Sequence, residues 1–122
     1  MDYQSFVRVE SKSEPGVAFQ IRKMSFERRV ELTRRIRELA QRVEFLDAGN
    51  DPKDKIEAAL LAGEVDRIYL EWGLMKVEGI QVDGSPATPQ SLLAAGPEDV
   101  CREALAAIKT ECGLSEDERK NS

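Results

Sequence analysis

The chain opens with two short strand-like segments followed directly by a long arginine-rich helical segment, and this order limits the folds open to it. Residues 4–10 and 17–22 alternate between apolar and polar side chains and are separated by the turn-forming pair Pro15-Gly16. This pattern predicts an antiparallel hairpin with a longer loop. A two-stranded hairpin is only marginally stable in water. It must therefore pack on the helices that follow.

The first helix is predicted from Phe26 to about Asp47. Ser25 is a suitable N-cap because its hydroxyl can accept a hydrogen bond from the first turn. One face carries an apolar stripe, made of Leu32, Ile36, Leu39, Val43 and Leu46. Arg34, Arg37 and Gln41 lie opposite this stripe at 100° per residue. Val30 and Phe45 fall outside the stripe and are expected to contact either the hairpin or another chain.

The second helix is predicted from Pro52 to Trp72, with Asp51 as N-cap and Gly73 as terminator. It has two apolar faces. The first is Leu61, Val65, Ile68, Tyr69 and Trp72, and the second is Ile56, Ala59, Leu60, Gly63 and Leu70. Between them, Glu57, Glu64 and Glu71 form an acidic ridge that is expected to meet arginines of the first helix. A helix that is apolar on two sides is either central in the fold or shared with a partner, and both alternatives stay open.

The remaining segments complete an α+β domain. Residues 77–84 predict a short strand closed by an Asp83-Gly84 turn, which would extend the hairpin to three strands. Thr88-Pro89 begins a short helix through Ala95, and a last helix runs from Pro97 to about Cys112. We therefore expect three to four helices packed with a small antiparallel sheet, mostly helical. Residues 1–114 are expected to form one domain, and residues 115–122 a polar, frayed tail.

The charge is unevenly distributed along the chain. Net charge is −5 over 122 residues, but residues 22–42 hold eight Lys/Arg against three Glu, whereas residues 43–122 hold eight Lys/Arg against seventeen Asp/Glu. Overall acidity argues against a dedicated nucleic-acid binder. No apolar run approaches the roughly 20 residues that span a bilayer, and the start of the chain has no signal-peptide pattern. A cytoplasmic protein that binds neither nucleic acid nor membrane is therefore expected.

Residues suited to catalysis or to metal binding do not form a recognisable constellation. The chain has no histidine to activate a nucleophile or to bind zinc. Cys101 and Cys112, if on one helix, lie about 16 Å apart, which is too far for a disulfide. The acidic cluster Asp47, Asp51, Asp54 and Glu57 does not fit the spacing of a calcium loop. We therefore expect no enzyme, no cofactor and no metal site.

Two parts of the chain resemble small phage and prophage tail assembly chaperones. The first is residues 15–32, which read PGVAFQIRKMSFERRVEL, and the second is Trp72-Gly73-Leu74 leading into residues 77–88, VEGIQVDGSPAT. In such chaperones a glycine–hydrophobic–acidic–glycine turn precedes a Pro-Ala-Thr helix start, and a C-terminal helix follows. The similarity covers most of the chain in its layout.

The resemblance implies a role and partners. Such chaperones are mostly helical, acidic and enzymatically inert, and they are absent from the finished virion. They coat the long tape measure protein and deliver it to tail tube subunits, in the cytoplasm of the host cell when the protein is phage-encoded. Some are also made with a C-terminal extension by translational frameshifting, a junction that the polar end of this chain would suit. The family has no catalytic motif to transfer to this sequence.

The residues expected to bind a partner come from both long helices. They are Ile56, Leu60, Gly63 and Leu70 on the second helix, with Arg34, Arg37 and Phe45 on the first. The apolar face suits an amphipathic partner helix, and the basic side chains favour an acidic stretch of it. Two rival functions remain: a structural tail or tail-completion protein kept in the virion as a homo-oligomer, and a bacterial regulatory adaptor with a basic face for nucleic acid.

Overall fold

The computed structural model describes residues 1–113, which form four helices and five short strands. The predicted α+β class, mostly helical with a small antiparallel sheet, is confirmed. In chain order the elements are β1 (Phe6–Glu10), β2 (Ala18–Arg22), α1 (Phe26–Asp47), α2 (Pro52–Gly73), β3 (Leu74–Glu78), β4 (Gln81–Val82), β5 (Ser85–Pro86), α3 (Pro89–Ala95) and α4 (Glu98–Glu111).

The chain divides into two compact units. Among the described residues, unit 1 contains residues 1–24 and 70–113, and unit 2 contains residues 25–69. The boundary falls within α2. The single domain expected for residues 1–114 stays a prediction, and the expected tail at 115–122 lies outside the described residues. None of the described helices combines the length and the apolar character needed to cross a membrane.

Unit 1 is built on the three-stranded sheet β1-β2-β3, in which β2 is central and both pairings are antiparallel. Phe19 pairs with Val9 on one side and with Val77 on the other. The third strand was expected over residues 77–84 and is in fact divided. β3 begins earlier, at Leu74, and ends at Glu78, whereas β4 pairs with β5 in a separate two-stranded hairpin. The prediction of one continuous strand was therefore wrong.

A left-handed glycine explains the division. Gly79 has a φ of +82°, which ends the pleat of β3 and turns the chain away from β2. The next turn is the predicted Asp83-Gly84 pair, with φ values of 52° and 83°. Positive φ at both central residues is the geometry that a two-residue hairpin prefers.

The core of unit 1 lies between β2 and the two C-terminal helices. Phe19 and Ile21 of β2 are fully buried, as are Leu92 of α3 and Val100 and Ile108 of α4. α4 packs against β2, and α3 packs against β3 and α4. α3 begins at a capping box: the Thr88 hydroxyl accepts from the Ser91 N–H, and the Ser91 hydroxyl accepts from the Thr88 N–H. α3 therefore begins where the sequence predicted, and α4 begins one residue after the predicted Pro97, which is its N-cap.

Glu103 of α4 holds the loop between β1 and β2. Its carboxylate accepts hydrogen bonds from the Ser11 hydroxyl, from the Lys12 N–H at 2.9 Å and from the Ser13 N–H at 3.3 Å. These donors stabilise the charged form and lower the pKa of Glu103, with Ser11 contributing most. The otherwise exposed loop is thereby attached to the helix that covers the sheet.

Candidate partner-binding surface

Unit 2 contains α1 and most of α2, which are joined by a short loop at residues 48–51. The Ser25 hydroxyl accepts from the Arg28 N–H at the start of α1, and the Asp51 carboxylate accepts from the Lys53 N–H at the start of α2. The Lys55 ammonium donates to the Asp47 carbonyl across the loop. Local polar contacts therefore stabilise both helix starts and the turn between them, and Ser25 and Asp51 are residues that the sequence predicts as N-caps.

Unit 2 buries few side chains. The expected apolar stripe of α1 points inward, because Leu32 is buried and Ile36, Leu39, Val43 and Leu46 are half-buried. On α2, Ala58 and Tyr69 are buried, while Leu61, Val65 and Ile68 are half-buried. Only Leu32, Ala58 and Tyr69 of residues 25–69 are buried. A pair of helices with so little buried side chain leaves much apolar surface in contact with solvent.

The acidic ridge of α2 meets α1 at Glu57. Arg42 of α1 pairs with Glu57 of α2 at 2.9 Å, as predicted. Glu64, expected to meet an arginine of α1, instead lies 3.6 Å from Arg67 of its own helix. These side chains are well exposed, so each pair contributes only about 0.2–1 kcal/mol. The Arg42–Glu57 pair therefore contributes little to the stability of unit 2.

The outer face of α2 is exposed along its first half. Ile56 and Leu60 are 64% and 69% exposed, and Gly63 lies beside them at the surface. Leu70 was placed on the same face, but it is only 8% exposed, so assigning it to a partner-binding surface was wrong. The helix crosses into unit 1 at this residue, and the side chain there belongs to the core of that unit. We call Ile56, Leu60 and Gly63 the α2 patch.

A second exposed strip follows the outer face of α1. Its apolar members are Phe26, Val30 and Phe45, which are 83%, 43% and 80% exposed. Between them lie Arg34 and Arg37, both exposed. These five residues point away from the buried Leu32, as the helical repeat requires. We call them the α1 strip.

The polar neighbours of the strip complete a shallow groove. It is lined by residues of α1 alone: Phe26, Arg29, Val30, Thr33, Arg34, Arg37, Glu38 and Gln41. Among the described residues, no carboxylate forms an ion pair with Arg34 or Arg37. The two guanidinium groups are therefore available to an anionic group from outside the chain.

Reasoning from the sequence found most of these residues but missed Phe26. It was treated only as the start of the helix, although it lies four residues before Val30. Two apolar residues at that spacing share a face. Phe26 and Val30 lie opposite the apolar stripe of α1. This pair of apolar residues on the other face already indicated a second contact surface in the sequence.

The thiols and carboxylates do not converge into a reactive site in the described part of the chain. No group of three or more His, Cys, Asp or Glu side chains within residues 1–113 is placed to hold a metal ion. Neither Cys101 nor Cys112 forms a disulfide. The Cys101 thiol donates to the Leu92 carbonyl at 3.3 Å, and burial, assisted by Glu98, raises its pKa. Both effects disfavour the thiolate that nucleophilic chemistry requires.

Comparisons with protein-family models, with curated proteins and with solved structures found no match to this chain. The exposed surface of unit 2 and the resemblance carried by residues 15–32 and 72–88 are therefore the features that bear on function.

Proposed function

We propose that this protein is a non-catalytic tail assembly chaperone, which holds a helical segment of a tape measure protein and delivers it to tail tube subunits in the cytoplasm. The observation that supports this best is the α2 patch, where Ile56 and Leu60 stand more than half exposed in a chain with a well-packed unit elsewhere. Clustered apolar side chains on a charged, soluble surface are typical of a site that contacts another protein.

The shape of the patch favours a helical partner. Ile56, Leu60 and Gly63 follow one another at helical spacing, so they form a narrow strip along α2. Such a strip matches the apolar face of an amphipathic helix. Gly63 adds no side chain, and nothing lies within 4 Å of the position that a Cβ would take there. A partner helix can therefore approach the backbone of α2 closely at this point.

The surroundings of the patch suit a holding role. Residues 25–69 contain nine Lys/Arg and ten Asp/Glu, so unit 2 presents apolar groups inside a nearly neutral, highly charged surface. Interspersed charges keep a protein soluble while it exposes apolar side chains. A binder of long, aggregation-prone helical protein needs both properties.

The test is co-expression of this protein with the tape measure protein of its own genome, followed by capture of the complex. Leu60→Asp is expected to lower the captured amount about tenfold, because a carboxylate would have to be desolvated in the interface, while the circular dichroism spectrum stays unchanged. Ala106→Asp is the matched control, since it adds the same charge at an exposed position of α4. Capture that is unchanged by Leu60→Asp would contradict the proposal, and so would unfolding of that variant.

The small number of buried side chains in unit 2 also favours a second candidate, a structural tail protein that forms homo-oligomers. Burial by another copy would supply the apolar contacts that Leu32, Ala58 and Tyr69 alone do not provide. Light scattering of the purified protein separates the two functions. A stable oligomer that is found in purified virions supports the structural role, whereas absence from virions supports the chaperone.

A further inference from the structure

The α1 strip has a nearly symmetric order of side chains. Phe26 precedes Arg34 by eight residues, Arg37 follows three residues later, and Phe45 follows after another eight. At 1.5 Å per residue each arginine lies about 12 Å from the nearer phenylalanine, and the two phenylalanines lie about 28 Å apart. The strip therefore presents aromatic, cationic, cationic and aromatic groups in the same order from either end.

We propose that the α1 strip is a second docking surface and that it binds an acidic amphipathic helix in either direction. The matching helix is about 20 residues long. It carries two carboxylates one turn apart near its middle and an apolar side chain about two turns to each side. This inference rests on the proposed role of unit 2 as a docking surface, and it specifies what chemistry the partner has.

The availability of the arginines is the first argument for an acidic occupant. Arg34 and Arg37 are exposed, and no described carboxylate pairs with them, whereas Arg42, five residues after Arg37, is already paired with Glu57. An arginine–carboxylate hydrogen bond is stronger than a neutral one and can be bidentate. A carboxylate delivered between the two phenylalanines would thus meet two available donors at once.

The exposed phenylalanines are the second argument, because they indicate a protein partner. Phe26 and Phe45 are each at least 80% exposed, and large exposed aromatic groups are the side chains that most often anchor protein interfaces. The combination suits a helix with apolar ends and an acidic centre.

Self-association through this strip is disfavoured by its own charges. In an antiparallel arrangement of two copies, Arg34 of each copy would face Arg37 of the other. In a parallel arrangement each arginine would face its equivalent. Like charges placed opposite one another are destabilising, so a second copy is not the occupant that the strip fits.

Three synthetic peptides of about 24 residues test the proposal by fluorescence anisotropy at low salt. The acidic peptide has a central pair of Glu one turn apart and Leu residues two turns to each side. A second acidic peptide carries a photo-crosslinker at its N-terminus, so that mass spectrometry of the product shows which end of α1 it lies against, and the neutral peptide replaces the Glu pair with Gln. The crosslinker should react with the Phe26 end and the Phe45 end of α1 in amounts within about threefold of each other, and the neutral peptide should bind about tenfold more weakly.

Protein variants assign the binding to the strip. The double variant Arg34→Glu and Arg37→Glu should lose the acidic peptide and gain affinity for a version with a central Lys pair. Arg102→Glu, which reverses one charge at an exposed position of α4 where the arginine pairs with Glu98, should bind the acidic peptide as the unchanged protein does. Equal binding of the acidic and neutral peptides would overturn the acidic occupant. A preference of more than about tenfold for one direction would overturn binding in either direction.

The two proposals fail in different ways. If Leu60→Asp abolishes capture of the tape measure protein while the Arg34 and Arg37 double variant binds the acidic peptide unchanged, the α2 patch stands and the inference about the α1 strip falls. If the double variant loses the acidic peptide but Leu60→Asp leaves capture intact, the inference stands and the role of the α2 patch falls. Dissociation of an oligomer by the double variant would show that a second copy occupies the strip.

Discussion

Gly79 and Gly84 are a matched pair of positions in unit 1. Comparing an alanine substitution at each measures how much the close approach of Gly79 to Gly16 requires glycine there. Their φ values are +82° and +83°, so an alanine at either position would adopt the same disfavoured conformation. They differ in their surroundings. A Cβ at Gly79 would lie 1.9 Å from the Gly16 carbonyl oxygen, whereas nothing lies within 4 Å of a Cβ at Gly84.

The two substitutions are therefore expected to differ by the cost of the clash alone. Gly84→Ala should lower the free energy of unfolding by about 1 kcal/mol, since the left-handed conformation costs about 1–2 kcal/mol and the reduced entropy of the unfolded chain offsets part of it. Gly79→Ala should lower it by about 2–4 kcal/mol, because backbone must also move to relieve overpacking.

Urea denaturation followed by fluorescence measures this difference. Trp72 is the only tryptophan in the chain, and it is buried in unit 1, where both glycines lie. The midpoint should shift further for Gly79→Ala than for Gly84→Ala, with the slope of the transition unchanged. Equal shifts would refute the reasoning, because they would show that the approach of Gly79 to Gly16 does not constrain the fold.

Three further predictions concern individual side chains. The pKa of Glu103 is lowered in the folded protein, so the stability that this carboxylate contributes is present above its ordinary pKa of 4.5 and is lost as the pH falls through the folded pKa. Glu103→Gln should therefore make the urea midpoint depend less on pH below pH 4.5. An unchanged pH profile of the urea midpoint would contradict this. In a double-mutant cycle, Arg42→Ala and Glu57→Ala should show a coupling of about 0.2–1 kcal/mol that decreases in 1 M salt, since both side chains are exposed; a larger coupling that persists in salt would mean that the pair is buried in solution. Phe19→Ala should cost about 3–5 kcal/mol of unfolding free energy because the side chain is fully buried, whereas Phe45→Ala, at 80% exposure, should change it by less than about 0.5 kcal/mol; similar losses from both in thermal or urea unfolding would show that Phe45 is covered in the free protein.

Part of the candidate surface was predictable and part was not. The helical repeat placed Ile56 and Leu60 together, and Arg34 and Arg37 opposite Leu32, because side chains three or four residues apart share a face in any α-helix. The same repeat grouped Leu70 with Ile56, but Leu70 is buried whereas Ile56 is exposed. Periodicity states which side chains lie side by side, but not which part of the chain covers them.

The amino-acid sequence by itself determined the elements whose causes are local. Ser25 and Thr88 begin helices through hydrogen bonds to residues three positions away, and Asp83-Gly84 forms its turn through the φ values that these two residues tolerate. Only the tertiary structure decided where β3 starts and ends, which residues of α2 are buried, and that Glu103 is held by a loop some 90 positions earlier. These outcomes depend on contacts between segments that are far apart in the sequence. Such contacts produce no repeating pattern of residues, because they form only when the folded chain brings the two segments together.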